Sequence, residues 1–330
     1  MPEVKKETSS ANPEVATQLV SSPATDNFTL AHISDLHLTA LKNTTISQLL
    51  NKRILGYLSW WRKRRIVHRL EIVEALLEDL KITRPDHTAV TGDLTHLGLP
   101  DEFVEAGQWL AKLGPSDQVT VIPGNHEAYV GKNWSENLSK WAPYLRSDDR
   151  QNDSRDTDFF PSLRIRGPVA LIGLCSARPS PPFLAVGSLD KSQLDGLANL
   201  LQRTGEAGLL RVVLIHHPPV PGTIKWRKRL VDSSRFANVI ARYGAELVLH
   251  GHTHAETFAE MQTSFGKVPV VGAPSASELN PRSGRCAKYN LYEIKRNDEV
   301  WQLKMFVRSY SEGSGRFDGE QETTLPLPHF

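Results

Sequence analysis

Cysteine is almost absent. The 330 residues hold two, Cys175 and Cys286, both in apolar or strand-like surroundings. That argues for reduced, buried thiols and against a disulfide framework, which uses more cysteines in a shorter chain. Long apolar runs are missing too: no stretch approaches the roughly 20 residues of a membrane span. Residues 1–27 are rich in Ser, Thr, Pro, Glu and Lys and have no apolar core. They read as a disordered leader, not a secretory signal, and a cytoplasmic location is expected. Net charge is scarce as well. A formal +2 gives no argument for nucleic-acid binding, and no separate DNA-binding segment is visible. No internal repeat occurs. What is present is 39% hydrophobic and 23% charged residues, enough for a full core.

The chain is organised around Val119-Thr120-Val121-Ile122-Pro123-Gly124-Asn125-His126-Glu127. A β-branched run reads as a buried strand, and Pro-Gly stops it and turns the backbone. Asn125 and His126 are thereby presented at a strand's carboxyl end, where open α/β sheets bind ligands.

Other segments repeat this plan. Phe28–Ile33 reads as a strand leading into Asp35-Leu36-His37, and His87 to Asp93 as a short strand ending in a carboxylate. Arg211–Ile215 ends in His216-His217, and Glu246–Leu249 in His250-Gly251-His252-Thr253-His254. Helices are expected between them. One carries Leu50, Ile54, Tyr57, Leu58 and Trp61 on its apolar side, and the next Ile66, Leu70, Val73, Leu76, Leu77 and Leu80. Others span Pro100 to Leu113, Asp190 to Gln202 and Asp232 to Tyr243, with Asp232 as N-cap. Residues 128–160 are expected to form loops and short helices over the active face. Leu163–Ile165 and Val169–Cys175 suggest a hairpin. Val268–Gly272, Lys288–Ile294 and Val300–Arg308 look like antiparallel strands, and residues 311–330 a flexible tail. Alternating strands and helices with a β-rich end predict one α/β sandwich domain of two facing sheets.

Five strand ends therefore carry Asp35 and His37, Asp93, Asn125 and His126, His216, and His252 and His254. The Asp-x-His and His-x-His spacings put both side chains of each pair on one side of an extended backbone. Carboxylate, imidazole and amide together suit a borderline divalent metal better than calcium or a structural zinc. About seven ligands are enough for two ions, with Asp93 as the natural bridge.

In order, these blocks are Asp35-Leu36-His37, Gly92-Asp93, Gly124-Asn125-His126-Glu127, His216 and Gly251-His252-Thr253-His254. The set resembles the calcineurin-like metallophosphoesterases from Phe28 to about His254. The resemblance implies a four-layer α/β/β/α sandwich of two facing mixed sheets flanked by helices, over residues 28–310. It implies one metal on Asp35, His37, Asp93 and His254, and another on Asp93, Asn125, His216 and His252. His126 would serve as general acid, with His217 as a runner-up ligand and His32 and His250 as structural residues. The reaction implied is in-line attack on a phosphorus atom by a hydroxide bridging two ions of Mn, Fe, Zn or Co.

The second block departs from the pattern. Gly92-Asp93-Leu94-Thr95-His96 lacks the Asp and Arg of the protein phosphatases, which argues against that activity. His96 stands where a phosphodiesterase-like branch often has Asp, so what orients His126 is left open, and His96 is a candidate phosphate contact. Two basic runs follow metal-binding blocks. Arg62, Arg64 and Arg65 lie in an insert at about residues 46–66, and Lys225 and Arg227 follow His216. Both are candidate substrate contacts. The insert reads either as a lid or as a basic amphipathic element on an anionic membrane. The leading expectation is a phosphodiesterase acting on a small phosphodiester or nucleotide-containing substrate. Two alternatives are a membrane-surface pyrophosphatase resembling UDP-diacylglucosamine hydrolases and a non-catalytic protein-binding scaffold.

Overall fold

The computed structural model describes residues 27–38, 41, 44–131, 133–150, 158–297 and 300–328. The expected leader lies outside them, apart from Asn27. In chain order the strands are β1 (Asn27–Ile33), β2 (His87–Val90), β3 (Val119–Val121), β4 (Ser162–Arg166), β5 (Val169–Gly173) and β6 (Leu210–Leu214). They continue as β7 (Leu247–His250), β8 (Thr257–Thr263), β9 (Gly266–Gly272), β10 (Lys288–Asn297), β11 (Val300–Ser311) and β12 (Arg316–Leu325). The longer helices are α1 (Arg53–Ser59), α2 (Leu70–Thr83), α3 (Pro100–Leu113), α4 (Lys191–Glu206) and α5 (Ser233–Tyr243).

Two mixed sheets of six strands result, ordered β12-β11-β10-β1-β2-β3 and β4-β5-β6-β7-β9-β8. Strands β1, β2 and β3 run parallel, as do β5, β6, β7 and β9, so all their carboxyl ends point one way. The sheets face each other across Leu30, Ala89, Ile122, Leu171, Val212 and Leu249. Helices α2 and α3 cover the outer face of the first sheet with Ile72, Leu76, Phe103 and Leu110. Helices α4 and α5 cover the second with Leu197, Leu201, Phe236 and Ile240. Three apolar seams between four layers realise the expected sandwich. Among the described residues no helix is long and apolar enough to cross a membrane.

Four local expectations are corrected. Residues 311–330 do not form a loose tail throughout, because Arg316–Leu325 pairs antiparallel with β11 as an edge strand. Its outward charges find cross-strand partners, Glu320 with Arg308 and Glu322 with Lys304. The insert, which the sequence left as either a lid or a membrane-lying element, exposes Leu50, Ile54, Leu58 and Trp61 of its apolar side, while Tyr57 packs partly buried against Trp60, Leu41, Leu97 and Leu99. Ile66 and Leu70 are exposed too, because the chain breaks at His68 before α2 begins. Asp232 stands before α5, yet its carboxylate accepts from Leu189 N (3.2 Å) instead of capping the helix. In the 128–160 region, Trp141 donates to Phe103 O and packs on its ring, so it seals α3 instead of roofing the active face.

Candidate metal centre

The loops after β1, β2 and β7 converge where the parallel strands end. Asp35, His37, Asp93, His252 and His254 all hold left-handed backbone, with φ between 46° and 69°. L-residues adopt this region at a cost of about 1–2 kcal/mol each, and such strain gathers at functional sites. Close packing leaves no alternative at Gly124, where a Cβ would lie 2.3 Å from Asp93 Oδ1.

The ligand atoms of Asp35, His37, Asp93 and His254 lie within 4.8 Å of one another, as do those of Asp93, His216 and His252. Asp93 belongs to both groups. Asn125 Oδ1 is 3.3 Å from His216 Nε2, which brings it to the second group. Main-chain carbonyls orient two of the imidazoles. His37 Nδ1 donates to Thr95 O (2.8 Å) and His216 Nδ1 to Thr91 O (2.6 Å), so each turns Nε2 toward the carboxylates. His37 Nε2 and His252 Nε2 are buried without a hydrogen-bond partner. Buried ring nitrogens without partners are costly, and a cation among them removes that cost. The donor set therefore fits divalent metal.

Electrostatics point the same way. Burial opposes charge on His216, yet Asp93 at 3.4 Å pushes its pKa up to about 9. His254 rises to about 9 against burial through Asp35 at 3.2 Å. Glu127 is fully buried behind the site and accepts from Asp93 N, Thr95 N and Gly124 N at 2.7–2.9 Å. Burial and Asp93 push its pKa up to about 7, against the pull of those donors.

His126 is oriented by a backbone group. Its Nδ1 lies 2.5 Å from His96 O, so the main chain of His96 does what the sequence left open. The His96 ring is 1% exposed and stacked on His37, and its loop is held by Glu102, which accepts from the His96, Leu97 and Leu99 amides. Burial, with Arg64 adding to it and Asp93 opposing, lowers His126 to about 3. His217, the runner-up ligand, falls in neither group, although its Nε2 is also buried without a hydrogen-bond partner. It is fully buried behind His252, with Nδ1 2.8 Å from Ser176 Oγ.

A cleft of about 460 Å³ opens beside Asn125 and His126. Lys52, Arg62, Arg64, Arg178, Arg227 and Lys228 line it, and among the described residues no carboxylate does. Arg65 and Lys225, expected there, are not among its lining residues; Arg65 instead sits over the Trp61 ring. Arg64 arrives through a π-helical turn, Trp60–Arg64, of the kind found at functional sites. Above it, Gly56 lets α1 approach Tyr129, where a Cβ would lie 2.6 Å from the phenol oxygen.

Sequence reasoning missed two groups here. His68 joins His37 and His254 in a further cluster, with Nδ1 2.7 Å from Ser277 Oγ. Glu278 lies 3.3 Å from His254 Nδ1. Neither belongs to a block with a spacing signature, and both are delivered by pairing between residues 67–69 and 277–279.

The family model described as calcineurin-like phosphoesterase matches residues 28–256. The chain belongs to this family. Within the calcineurin-like phosphoesterases it is similar to a probable cyclic nucleotide phosphodiesterase of Rhodococcus erythropolis, with 29% identity over 61% of this chain and 62% of the relative. A second relative, a probable cyclic nucleotide phosphodiesterase of Synechococcus sp., is 30% identical over 54% of this chain and 62% of its own length. The matched region thus spans under two thirds of each. The fold matches a dimetal phosphatase from Danio rerio, with a TM-score of 0.59 and 14% identity over 91% of this chain and 99% of that one. A purple acid phosphatase from yellow lupin aligns with a TM-score of 0.51 and 12% identity, over 90% of this chain and 54% of that one.

Proposed function

We propose that this calcineurin-like phosphoesterase hydrolyses a phosphodiester in a metal-dependent reaction, with a small nucleotide-containing molecule as substrate. One observation carries the reading: Asp93 is shared by two ligand clusters that meet at the ends of facing sheets. Asp35, His37, Asp93 and His254 would hold one ion, and Asp93, Asn125, His216 and His252 the other. Such ions, when bound, supply a nucleophile at neutral pH and offset charge on the phosphoryl oxygens. Mn, Fe, Zn and Co all accept these ligands.

The chain's own groups do the rest. Arg64 and Lys228 face the cleft and draw in the phosphate. At rest His126 is neutral, with Nδ1 donating to His96 O and Nε2 accepting from Arg64. A phosphoryl anion that displaces the Arg64 N–H favours the charged imidazole. His126 takes up a proton from solvent at Nε2 as the phosphoryl anion binds, and delivers that proton to the leaving oxygen. The names of the two bacterial relatives support a cyclic nucleotide as the first substrate to test.

The cleft favours a second reading. Among the described residues its lining carries six cations and no carboxylate, more than a single phosphodiester charge needs. They suit a pyrophosphate linkage. The test is ³¹P NMR of Mn²⁺-loaded protein with a cyclic nucleotide in one tube and a nucleotide pyrophosphate in another. Cleavage of the ring supports the first reading and cleavage of the anhydride the second. No cleavage of either, with metal bound, overturns both.

A further inference from the structure

The exposed apolar side chains are not scattered. Ile46 (81% exposed), Leu50 (77%), Ile54, Leu58 and Trp61 all stand exposed on the insert, on two helical segments joined by a turn at residues 50–52. Leu49, Arg53, Tyr57, Trp60 and Arg64 instead face the protein: Arg53 donates to Leu97 O and Gly98 O, and Arg64 reaches His126. A lid packing only on its own domain has no use for the outer side chains.

Two loops extend this surface. Lys52 Nζ donates to Ser180 O (2.6 Å), and Ala185 N donates to Arg227 O (2.9 Å). The insert, the 177–189 loop and the 219–231 loop are thus tied together around one cleft. The loops add Phe183 (83% exposed) and Trp226 (68%). Residues 44–70, 177–189 and 219–231 contain no Asp or Glu, whereas Lys52, Arg62, Arg65, Arg178, Arg227, Lys228 and Arg229 all lie in them.

Exposed Leu, Ile, Trp and Phe interleaved with cations and free of carboxylates match the interface of an anionic bilayer. Apolar groups enter the acyl boundary while Lys and Arg meet lipid phosphates. Two copies of so basic a face repel each other, which disfavours self-association. We infer that this face docks the protein on an anionic phospholipid surface, with the cleft opening among the headgroups. The inference is independent of which phosphate bond is cut.

Co-sedimentation of the full chain with vesicles tests it, using phosphatidylcholine alone and phosphatidylcholine mixed with phosphatidylglycerol. Binding to the mixed vesicles is at least tenfold tighter and weakens with added salt. The double substitution Leu50→Ser, Trp61→Ser lowers it at least tenfold and leaves hydrolysis of soluble bis(p-nitrophenyl) phosphate unchanged. Wild-type protein that stays in the supernatant with anionic vesicles at low salt overturns the inference. So does undiminished binding by the variant, or a tight dimer in sedimentation equilibrium that the same substitutions dissolve. Because the soluble substrate reports hydrolysis separately, failure to dock and failure to hydrolyse are distinguishable.

Discussion

Arg64 Nη1 lies 3.0 Å from Nε2 of His126, so a residue of the insert is hydrogen-bonded to the loop that follows β3. The contact couples two segments separated by 62 positions in the chain. With Nδ1 committed to His96 O, the imidazole has one free face, and Arg64 occupies it.

Substitutions at this pair should therefore be non-additive. Arg64→Ala is expected to lower kcat/KM for bis(p-nitrophenyl) phosphate by about 10²-fold, and His126→Asn by about 10²–10⁴-fold. The double variant should fall short of the product of the two losses. Strict additivity would show that the residues act separately.

Asp93→Asn removes the one carboxylate common to both clusters. Turnover should fall below about 10⁻³ of wild type, and bound Mn²⁺ measured by plasma mass spectrometry should drop as well. Full metal content with normal turnover would refute the shared role.

Glu127→Ala tests the framework behind the site. It strips three buried main-chain N–H groups of their acceptor, at about 1–3 kcal/mol for each group left without a partner. Urea unfolding of the metal-free protein should show a lowered midpoint with an unchanged slope. A midpoint equal to wild type would mean that water replaces the carboxylate.

Acid sensitivity should be traceable to His87, far along β2 from the metal cluster. Burial, with Arg166 and Arg164 nearby, lowers its pKa to about 3, and Nε2 is 2.7 Å from Thr120 Oγ1. The unfolded chain takes up this proton near pH 6.5 and the folded chain does not. The stabilisation is complete above about pH 6.5 and declines by about 1.4 kcal/mol per pH unit as pH falls toward the folded pKa. His87→Gln should flatten the stability–pH curve in that window. Parallel curves for the two proteins would contradict the assignment.

Much of this molecule was legible in the sequence. Asp35, His37, Asp93, His216, His252 and His254 announce themselves as polar residues that interrupt apolar runs, and the fold brings them into two clusters. The order of strands and helices followed from the same runs. The insert was harder to read. Its periodicity fits a lid and a membrane-lying element equally, and it is Trp60 and the Arg53 guanidinium that hold one face inward. Strand β12 was hidden because Glu320 and Glu322 resemble a solvated tail until Arg308 and Lys304 of β11 pair with them. His68, Glu278, Lys52 and Arg178 carry no local pattern, and only tertiary packing brings them to the centre.

The left-handed backbone at Asp35, His37, Asp93, His252 and His254 has a consequence for substitutions there. Glycine would relax the main chain at each of these positions, and an alanine scan would record the opposite. That relief is set against the buried hydrogen bonds these side chains make, such as His126 N to Asp93 Oδ1 and His252 N to Asp35 Oδ2. Residues other than glycine at all five positions thus hold main chain that costs about 1–2 kcal/mol each to keep left-handed.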